Sequence, residues 1–118
     1  MATIKRFEDI LAWQKAKESV IETYRLFANV RDYGFRDQIQ RAAVSVMNNI
    51  AEGFERRGDK EFGKFLFISK GSCGEVRSML YIALELGYIG KLDFERLYDR
   101  SVEISRMLSG LIKSLNRS

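Results

Sequence analysis

Apolar residues recur at steps of three and four along four long segments of this chain, and no proline interrupts any of them. This spacing is the period of an α-helix that buries one face, and proline is the residue that breaks helices most strongly. Glycine-containing stretches separate the segments. The sequence therefore predicts an all-α protein whose helices span about residues 7–28, 36–57, 60–86 and 92–115.

The apolar steps alternate between three and four most regularly in the third segment: Phe62, Leu66, Ser69, Cys73, Val76, Leu80 and Ala83. A mean step of about 3.5 residues favours helices that cross at about +20°. With short connections, we expect a single domain over residues 1–118, an antiparallel up-down-up-down four-helix bundle. Asp59 and Asp93 are predicted N-caps, and Gly58 is predicted to adopt positive φ after the second helix.

The third segment also carries more apolar residues than one buried face can hold: Phe65, Phe67, Ile68, Met79, Tyr81 and Ile82 lie beside the main stripe. Each helix of a four-helix bundle buries only its inward side, and large exposed apolar patches are uncommon on monomers. The surplus predicts a subunit interface. The alternative is that loops or the N-terminal segment cover these residues.

Small and polar residues recur at helical spacing on two ridges: Ala42, Ser45, Asn49 and Gly53 on the second helix, and Gly71, Gly74 and Ser78 on the third. We expect these ridges to face each other, because close backbone approach offsets the cost of glycine inside a helix. Asn49 then needs a hydrogen-bond partner, for which Ser72, Glu75 or a backbone carbonyl is suitable. Direct contact of Asn49 with a ligand is the alternative. The residues assigned to this structural motif are Asn49, Glu52, Gly53, Gly71 and Glu75.

The composition argues against catalysis. The chain has no His, which excludes His-containing triads, zinc sites that use His, and the Glu-x-x-His motif of di-iron bundles. The single cysteine, Cys73, is expected on a buried seam, where it is an unreactive small apolar residue. The acidic residues around position 57 alternate with basic ones, which indicates a surface ion-pair belt rather than an acid–base pair. We therefore expect a non-enzyme with no catalytic residue, no metal and no cofactor.

Charge and hydropathy define the expected compartment and partners. The chain has 20 basic and 16 acidic residues, a net charge of +4. This excess permits a nucleic-acid partner without requiring one, and a solvated surface is the alternative. No apolar run reaches the about 18 residues of a membrane span, and no apolar core follows the first basic residues as in a secretory signal. With one cysteine and no possible internal disulfide, a cytoplasmic location is expected.

Several runs resemble a known family: FEDILAWQKA (Phe7–Ala16), DQIQRAAVSVMNNIAEG (Asp37–Gly53), FERR (Phe54–Arg57) and FLFISKGSCGE (Phe65–Glu75). They are similar to the four-helix bundle proteins encoded in intervening sequences of bacterial 23S ribosomal RNA genes, with matching spacing across about residues 7–90. Where these proteins usually have a hydrophobic-Pro-Ser-Asn run, this chain has VMNN, without proline. We therefore expect a straight second helix.

The resemblance implies a cytoplasmic bacterial protein that assembles as a ring-like homo-oligomer, a homopentamer, with no known reaction. Related bundle proteins accompany the reverse transcriptase of diversity-generating retroelements, where a basic ring surface is thought to engage nucleic acid and polymerase. The hypothesis is RNA or ribonucleoprotein binding through basic residues around the junction of the second and third helices: Arg41, Arg56, Arg57, Lys60 and Lys64. A second basic set, Arg96, Arg100 and Arg106, lies on the fourth helix. The alternative is a protein-interaction scaffold that docks a partner such as a reverse transcriptase.

Overall fold

A computed structural model of the chain describes residues 4–56 and 58–116. This part of the chain contains four α-helices, one short 3-10 turn and no strand. The turn is Phe7–Asp9, and the helices are α1 (Leu11–Leu26), α2 (Tyr33–Glu55), α3 (Asp59–Glu85) and α4 (Lys91–Asn116). The predicted all-α class and the number of helices are confirmed.

Two helices begin at positions that differ from the prediction. The sequence predicts the first helix from about residue 7, but α1 begins at Leu11, because Ile10 adopts extended backbone after the 3-10 turn. The second is predicted from about residue 36, but α2 begins at Tyr33. Asp32 is the reason: its carboxylate accepts a hydrogen bond from the backbone N–H of Phe35 at 3.2 Å and so caps the helix.

The predicted N-caps of α3 and α4, Asp59 and Asp93, are both wrong, because each lies inside the first turn of its helix. Gly58 occupies the N-cap of α3 with φ of 94°, and Asp59 is the first helical residue. The positive φ predicted for Gly58 is confirmed. Helix α4 begins at Lys91, with Asp93 inside its first turn. Both aspartates still stabilise their helices, because a negative charge in the first turn faces the positive end of the helix dipole.

The core runs along the bundle in two clusters of buried side chains. One surrounds Ile50, Leu66 and Leu108, and the other surrounds Phe27 and Leu80. The predicted stripe of α3 is buried over its whole length.

Helix α1 departs from its predicted stripe at one position. Steps of three and four predict a core-facing stripe of Ile10, Trp13, Ala16, Val20, Tyr24 and Phe27. The side chain of Tyr24 is exposed, however, and Thr23 is buried there instead. Both residues fit a step of three or four from the neighbouring buried positions. The choice between them is made by the packing of the other helices.

The helices form a square in which each packs against two neighbours. Helix α2 contacts α1 and α3, and α4 contacts α3 and α1, whereas α1 and α3 have no contact within the described residues. Helix α2 runs without a break from Tyr33 to Glu55, as expected for a chain that lacks proline there. Because α1 and α3 are diagonally opposed, their outer faces lie on opposite sides of the bundle.

The outer face of α3 is not covered by loops or by the described N-terminal residues. Phe67, Ile68, Tyr81 and Ile82 are all exposed, while Phe65 and Met79 are half-buried. The expected apolar surplus is therefore present on the surface of a single chain. The subunit interface inferred from it stays a prediction.

Candidate nucleic-acid interface

The corner between α2 and α3 is built on a close contact at Gly53. This glycine is buried, and a Cβ atom added to it would lie 2.5 Å from the Cβ atom of Phe65. Three residues later Arg56 is the C-cap residue that follows α2, and its backbone N–H donates to the carbonyls of Glu52 and Gly53 at 3.2 and 3.3 Å. The absence of a side chain at Gly53 thus lets α3 begin directly beside the last turn of α2.

The side chain of Arg56 is held within this corner by two weak contacts. Its Nη2 atom lies 3.2 Å from Oε1 of Glu52, and its guanidinium carbon lies 5.1 Å from the ring centroid of Phe65. Both members of the ion pair are about half exposed, and an exposed pair of this kind contributes about 0.3–0.5 kcal/mol. Arg56 is therefore positioned by Phe65 while remaining available to exchange its carboxylate for a phosphate.

Two lysines follow on the first turns of α3. Lys64 lies 3.6 Å from Glu61, whereas Lys60 is exposed and has no carboxylate within 4.0 Å among the residues that the structure describes. Arg57, which is predicted to join this set, lies outside the described residues. The pairs Arg56–Glu52 and Lys64–Glu61 belong to the ion-pair belt expected from the sequence.

Arg41 does not belong to this corner, although the sequence predicts it there. It precedes Arg56 by 15 positions on the same helix, so the rise of an α-helix separates the two by about 22 Å. Arg41 is exposed, and no acidic group lies within ion-pair distance of it in the described part of the chain. It is a separate cationic position midway along α2.

The basic residues of α4 serve mainly to hold α4 against α1. Glu22 of α1 accepts from Arg96 at 2.9 Å and from Arg100 at 3.3 Å, and Arg96 also pairs with Asp93 at 3.0 Å. Their guanidinium groups are therefore largely neutralised, whereas Arg106 is exposed further along α4. Glu22 was not predicted in this role, because a single acidic residue on a helix surface carries no signal of a partner on another helix.

A chain of polar side chains joins α2 to α3 behind the corner. Asn49 donates to the backbone carbonyl of Ser45 at 2.8 Å and to the Ser45 hydroxyl at 2.9 Å, and that hydroxyl lies 2.8 Å from the hydroxyl of Ser72. Ser69 donates to the carbonyl of Val46 at 2.7 Å. A backbone carbonyl, one of the partners considered for Asn49, is used here. These bonds are satisfied within the protein, so the geometry gives this ridge a packing role.

The two small-residue ridges do not face each other as expected. Gly71 is exposed, and a Cβ atom added to it would have no neighbour within 4 Å, while a Cβ atom on Gly74 would meet only Arg77 at 3.9 Å. Ser69 and Ser72 are the residues of this part of α3 that hydrogen-bond to α2. The two glycines lie about 100–160° around the helix axis from these serines and so do not face α2. Glu75 is at the surface and accepts from Gln38 of α2 at 3.4 Å.

Cys73 and the acidic side chains are the groups of the described residues to be considered for nucleophilic chemistry or metal binding. Cys73 is buried, and this burial raises the pKa of its thiol to about 11 despite the charge of Arg77 and a hydrogen bond with Ser101. It is therefore protonated at neutral pH and inert as a nucleophile. No group of three or more Cys, Asp or Glu side chains in the described part is placed to hold a metal ion.

Across residues 4–56 and 58–116, no helix is both long and apolar enough to cross a bilayer.

A crystal structure of similar fold comes from Bacteroides thetaiotaomicron VPI-5482, a protein of unknown function from the S23 ribosomal protein family. It superposes with a TM-score of 0.81 at 22% sequence identity, covering 87% of this chain and 96% of that chain. At this identity the likeness supports the fold alone. No curated protein matches the sequence. The model of the 23S rRNA-intervening sequence protein family matches residues 8–110, and the chain therefore belongs to this family.

Proposed function

We propose that this protein is a non-enzymatic homo-oligomer that binds RNA or a ribonucleoprotein through exposed basic side chains. The observation that carries the proposal is the state of the cations on α2 and at the start of α3. Arg41 and Lys60 are exposed without a carboxylate at ion-pair distance among the described residues, and Arg56 is held by one weak exposed pair. Membership of the 23S rRNA-intervening sequence family makes RNA the first partner to test.

A single copy presents too few such cations for strong binding, so the proposal includes a ring of copies. Linked sites raise the apparent affinity because each later contact is intramolecular. The resemblance to ring-forming relatives supports a homopentamer in the cytoplasm. The apolar residues exposed on α1 and α3 support assembly, and the order of contacts between the helices supports the antiparallel up-down-up-down course expected of the bundle.

The absence of catalysis is part of the same proposal. The chain has no His, and its one cysteine is buried with a thiol pKa of about 11. The carboxylates of the corner, Glu52 and Glu61, are paired with basic residues. These features support a binding role rather than acid–base or nucleophilic chemistry.

The test is the binding of fluorescently labelled single-stranded RNA, followed by anisotropy over a series of salt concentrations. Each phosphate contact adds about −0.7 to the slope of log affinity against log salt. We expect steep salt dependence for the wild type, and weaker binding with a shallower slope for the double variant Arg41→Glu, Lys60→Glu. The variant Arg56→Glu, Arg57→Glu is expected to act in the same direction.

The matched control is Arg106→Glu, Lys113→Glu, which makes the same change in net charge at two exposed positions of α4. It is expected to keep most of the affinity. The proposal is wrong if the wild type does not bind RNA, if binding is independent of salt, or if the control loses as much affinity as the α2–α3 variants.

The second candidate is a protein-interaction scaffold that docks a partner such as a reverse transcriptase. It is favoured by apolar residues exposed near the end of the bundle, where Leu92 and Leu86 are 79% and 57% exposed. Pull-down from lysate with and without nuclease separates the two functions. Partners that persist after nuclease treatment support the scaffold, and partners lost with the RNA support RNA binding.

A further inference from the structure

The outer face of α3 combines apolar and acidic side chains. Phe67 and Ile82 are 59% and 49% exposed, and each has an exposed apolar neighbour in sequence. Gly71 and Ser78 are exposed small residues on the same side of α3. Two exposed glutamates without a cationic partner within 4.0 Å in the described part complete this face, which we call the α3 face: Phe67, Ile68, Gly71, Glu75, Ser78, Tyr81, Ile82 and Glu85.

The outer face of α1 has the complementary composition. Leu11, Ile21 and Tyr24 are 55%, 41% and 47% exposed. Lys17 and Arg25 flank the Ile21–Tyr24 pair and have no carboxylate at ion-pair distance among the described residues. The exposed Glu18 lies on the same side of α1. With two cations and one anion, this set, the α1 face, carries a net positive charge where the α3 face carries a net negative one, and it lies on the opposite side of the bundle because α1 and α3 are diagonal.

Contacts with α4 fix the heights of the two faces along the bundle. On the α1 side, Lys15 pairs with Glu103 at 3.4 Å and Glu22 pairs with Arg100 at 3.3 Å. Residues of increasing number on α1 therefore meet residues of decreasing number on α4.

On the other side of α4, Arg77 donates to Ser101 at 3.1 Å, and the ring of Tyr81 lies 5.5 Å from that of Tyr98. Ser101 lies on α4 between Arg100 and Glu103, the partners of Glu22 and Lys15 on α1. Glu18 lies midway between these two α1 residues and is therefore level with Ser101. Glu18 and Arg77 therefore stand at about the same height, and both helices rise in the same direction from there.

Equal heights bring opposite charges to the same levels. Lys17 is one position before Glu18, and Glu75 is two positions before Arg77. Lys17 and Glu75 therefore lie at nearly the same height. Arg25 follows Glu18 by nearly as many positions as Glu85 follows Arg77. Between these levels, Ile21 and Tyr24 of α1 lie at about the same height as Tyr81 and Ile82 of α3.

We infer that the α1 face of one copy packs against the α3 face of the next, with Arg25 opposite Glu85 and Lys17 opposite Glu75. Copies related by a rotation axis along the bundle have no shift in height, so surfaces at equal levels meet. Two different faces in contact give a head-to-tail interface, which closes into a ring when the rotation between copies divides a full turn. The inference rests on the proposed homo-oligomer and assigns its contact residues.

A two-fold dimer of α3 faces accounts for fewer of the observations. It would bring the Glu75 side chains of two copies toward each other near the axis and leave Ile21 and Tyr24 of α1 exposed. Like charges in contact oppose association. The head-to-tail contact between the α1 and α3 faces therefore agrees with more of the observations than the two-fold dimer does.

The first experiment exchanges the charges of one predicted pair and measures the mass by light scattering across a dilution series. Arg25→Glu and Glu85→Arg are each expected to raise the concentration for half-assembly about tenfold or more, because each places like charges together. The double variant Arg25→Glu, Glu85→Arg restores the pair and is expected to assemble like the wild type. Lys113→Glu on α4 is the control and keeps the wild-type mass. Helical circular dichroism verifies that each variant is folded.

The second experiment uses cysteine cross-linking under oxidising conditions. The variants Lys17→Cys and Glu75→Cys are expected to form a disulfide when mixed but neither alone, and the buried Cys73 stays unreactive. Self-cross-linking of Glu75→Cys would instead indicate the two-fold dimer and overturn the inference.

The outcomes separate this inference from the proposed function. A monomeric wild type overturns both the interface and the ring. A wild-type oligomer whose mass is insensitive to both single charge reversals overturns the pairing and leaves the ring intact. If the double variant restores assembly but the protein binds no RNA, the interface is supported and the proposed RNA binding is wrong.

Discussion

At Gly53 and Gly71 the same residue type has opposite structural roles. A Cβ on Gly53 would lie 2.5 Å from that of Phe65 and 3.1 Å from the ring of Phe62, whereas a Cβ on Gly71 has no neighbour within 4 Å. Gly53 is therefore required by the contact between α2 and α3. Within a single copy of the chain, Gly71 carries only the conformational cost of glycine inside a helix.

Alanine at these two positions is expected to change stability in opposite directions. Gly53→Ala should lower the free energy of unfolding by about 1–3 kcal/mol, because α3 has to move away. Gly71→Ala, the matched control, should raise it by about 0.5–1 kcal/mol through helix propensity. Urea unfolding measures both, and a stable Gly53→Ala variant would contradict the close approach.

The buried thiol of Cys73 predicts a loss of stability at alkaline pH. Burial raises its pKa from 9.0 to about 11. Between these values the unfolded chain loses the thiol proton and the folded chain keeps it, so the unfolded state binds fewer protons and the free energy of unfolding falls as pH rises. The loss should reach on the order of 2–3 kcal/mol by pH 11.

Comparison with Cys73→Ala isolates this contribution, because lysines and tyrosines titrate in both proteins. The difference in free energy of unfolding between the two proteins is expected to be constant below about pH 8 and to narrow toward pH 11. A constant difference over the whole range would show that the thiol is not buried in the folded state.

At the level of the elements, one aspartate joins two loops at the same end of the bundle. Asp32 caps α2 through Phe35 and accepts a hydrogen bond from the hydroxyl of Tyr88 at 2.8 Å, in the connection between α3 and α4. This bond also raises the pKa of Tyr88, since the carboxylate disfavours the phenolate. The ring of Tyr88 packs edge-on against Phe35 at 5.3 Å.

Removing the two partners of this bond should have unequal effects. Asp32→Ala loses both the helix cap, worth about 1 kcal/mol, and the hydrogen bond from Tyr88. Tyr88→Phe loses only the bond and keeps the aromatic contact. Thermal unfolding of both variants checks the order, and an equal or larger loss for Tyr88→Phe would contradict the capping role of Asp32.

For the whole molecule, assembly and RNA binding are assigned to different parts of the surface. The bundle measures 46 × 20 × 19 Å, and its apolar faces lie on α1 and α3, diagonally opposed. The cations proposed to meet phosphate lie on α2 and at the start of α3. A ring built through the faces repeats those cations around its surface, so a charge reversal in the faces is expected to weaken RNA binding only by breaking the ring.

The glycine pattern of α3 shows where sequence reasoning stops. Periodicity identified the buried positions from Phe62 to Ala83 with the exception of Ser72, because burial on one side of a helix leaves a spacing in the sequence. It did not show that Ser69 and Ser72, rather than Gly71 and Gly74, meet α2. Adjacent ridges of a helix differ only by a rotation, and the neighbouring helix decides which of them is used.

The candidate site followed the same division. The basic residues near the α2–α3 corner were evident in the sequence, yet the pairing of Arg56 with Glu52 and the separation of Arg41 from that corner depend on geometry. The ion pairs of Glu22 with Arg96 and Arg100 join residues that are distant in the chain. No local pattern encodes such a contact.

The helical class, the number of helices and most of the core can be predicted from the sequence alone, because they follow from spacing, the absence of proline and the placement of glycine. Only the folded structure shows which ridges touch, which charges are neutralised, and at what height along the bundle the exposed apolar residues of α1 and α3 lie. These features depend on the relative rotation and height of whole helices, which are set by the packing of all four together.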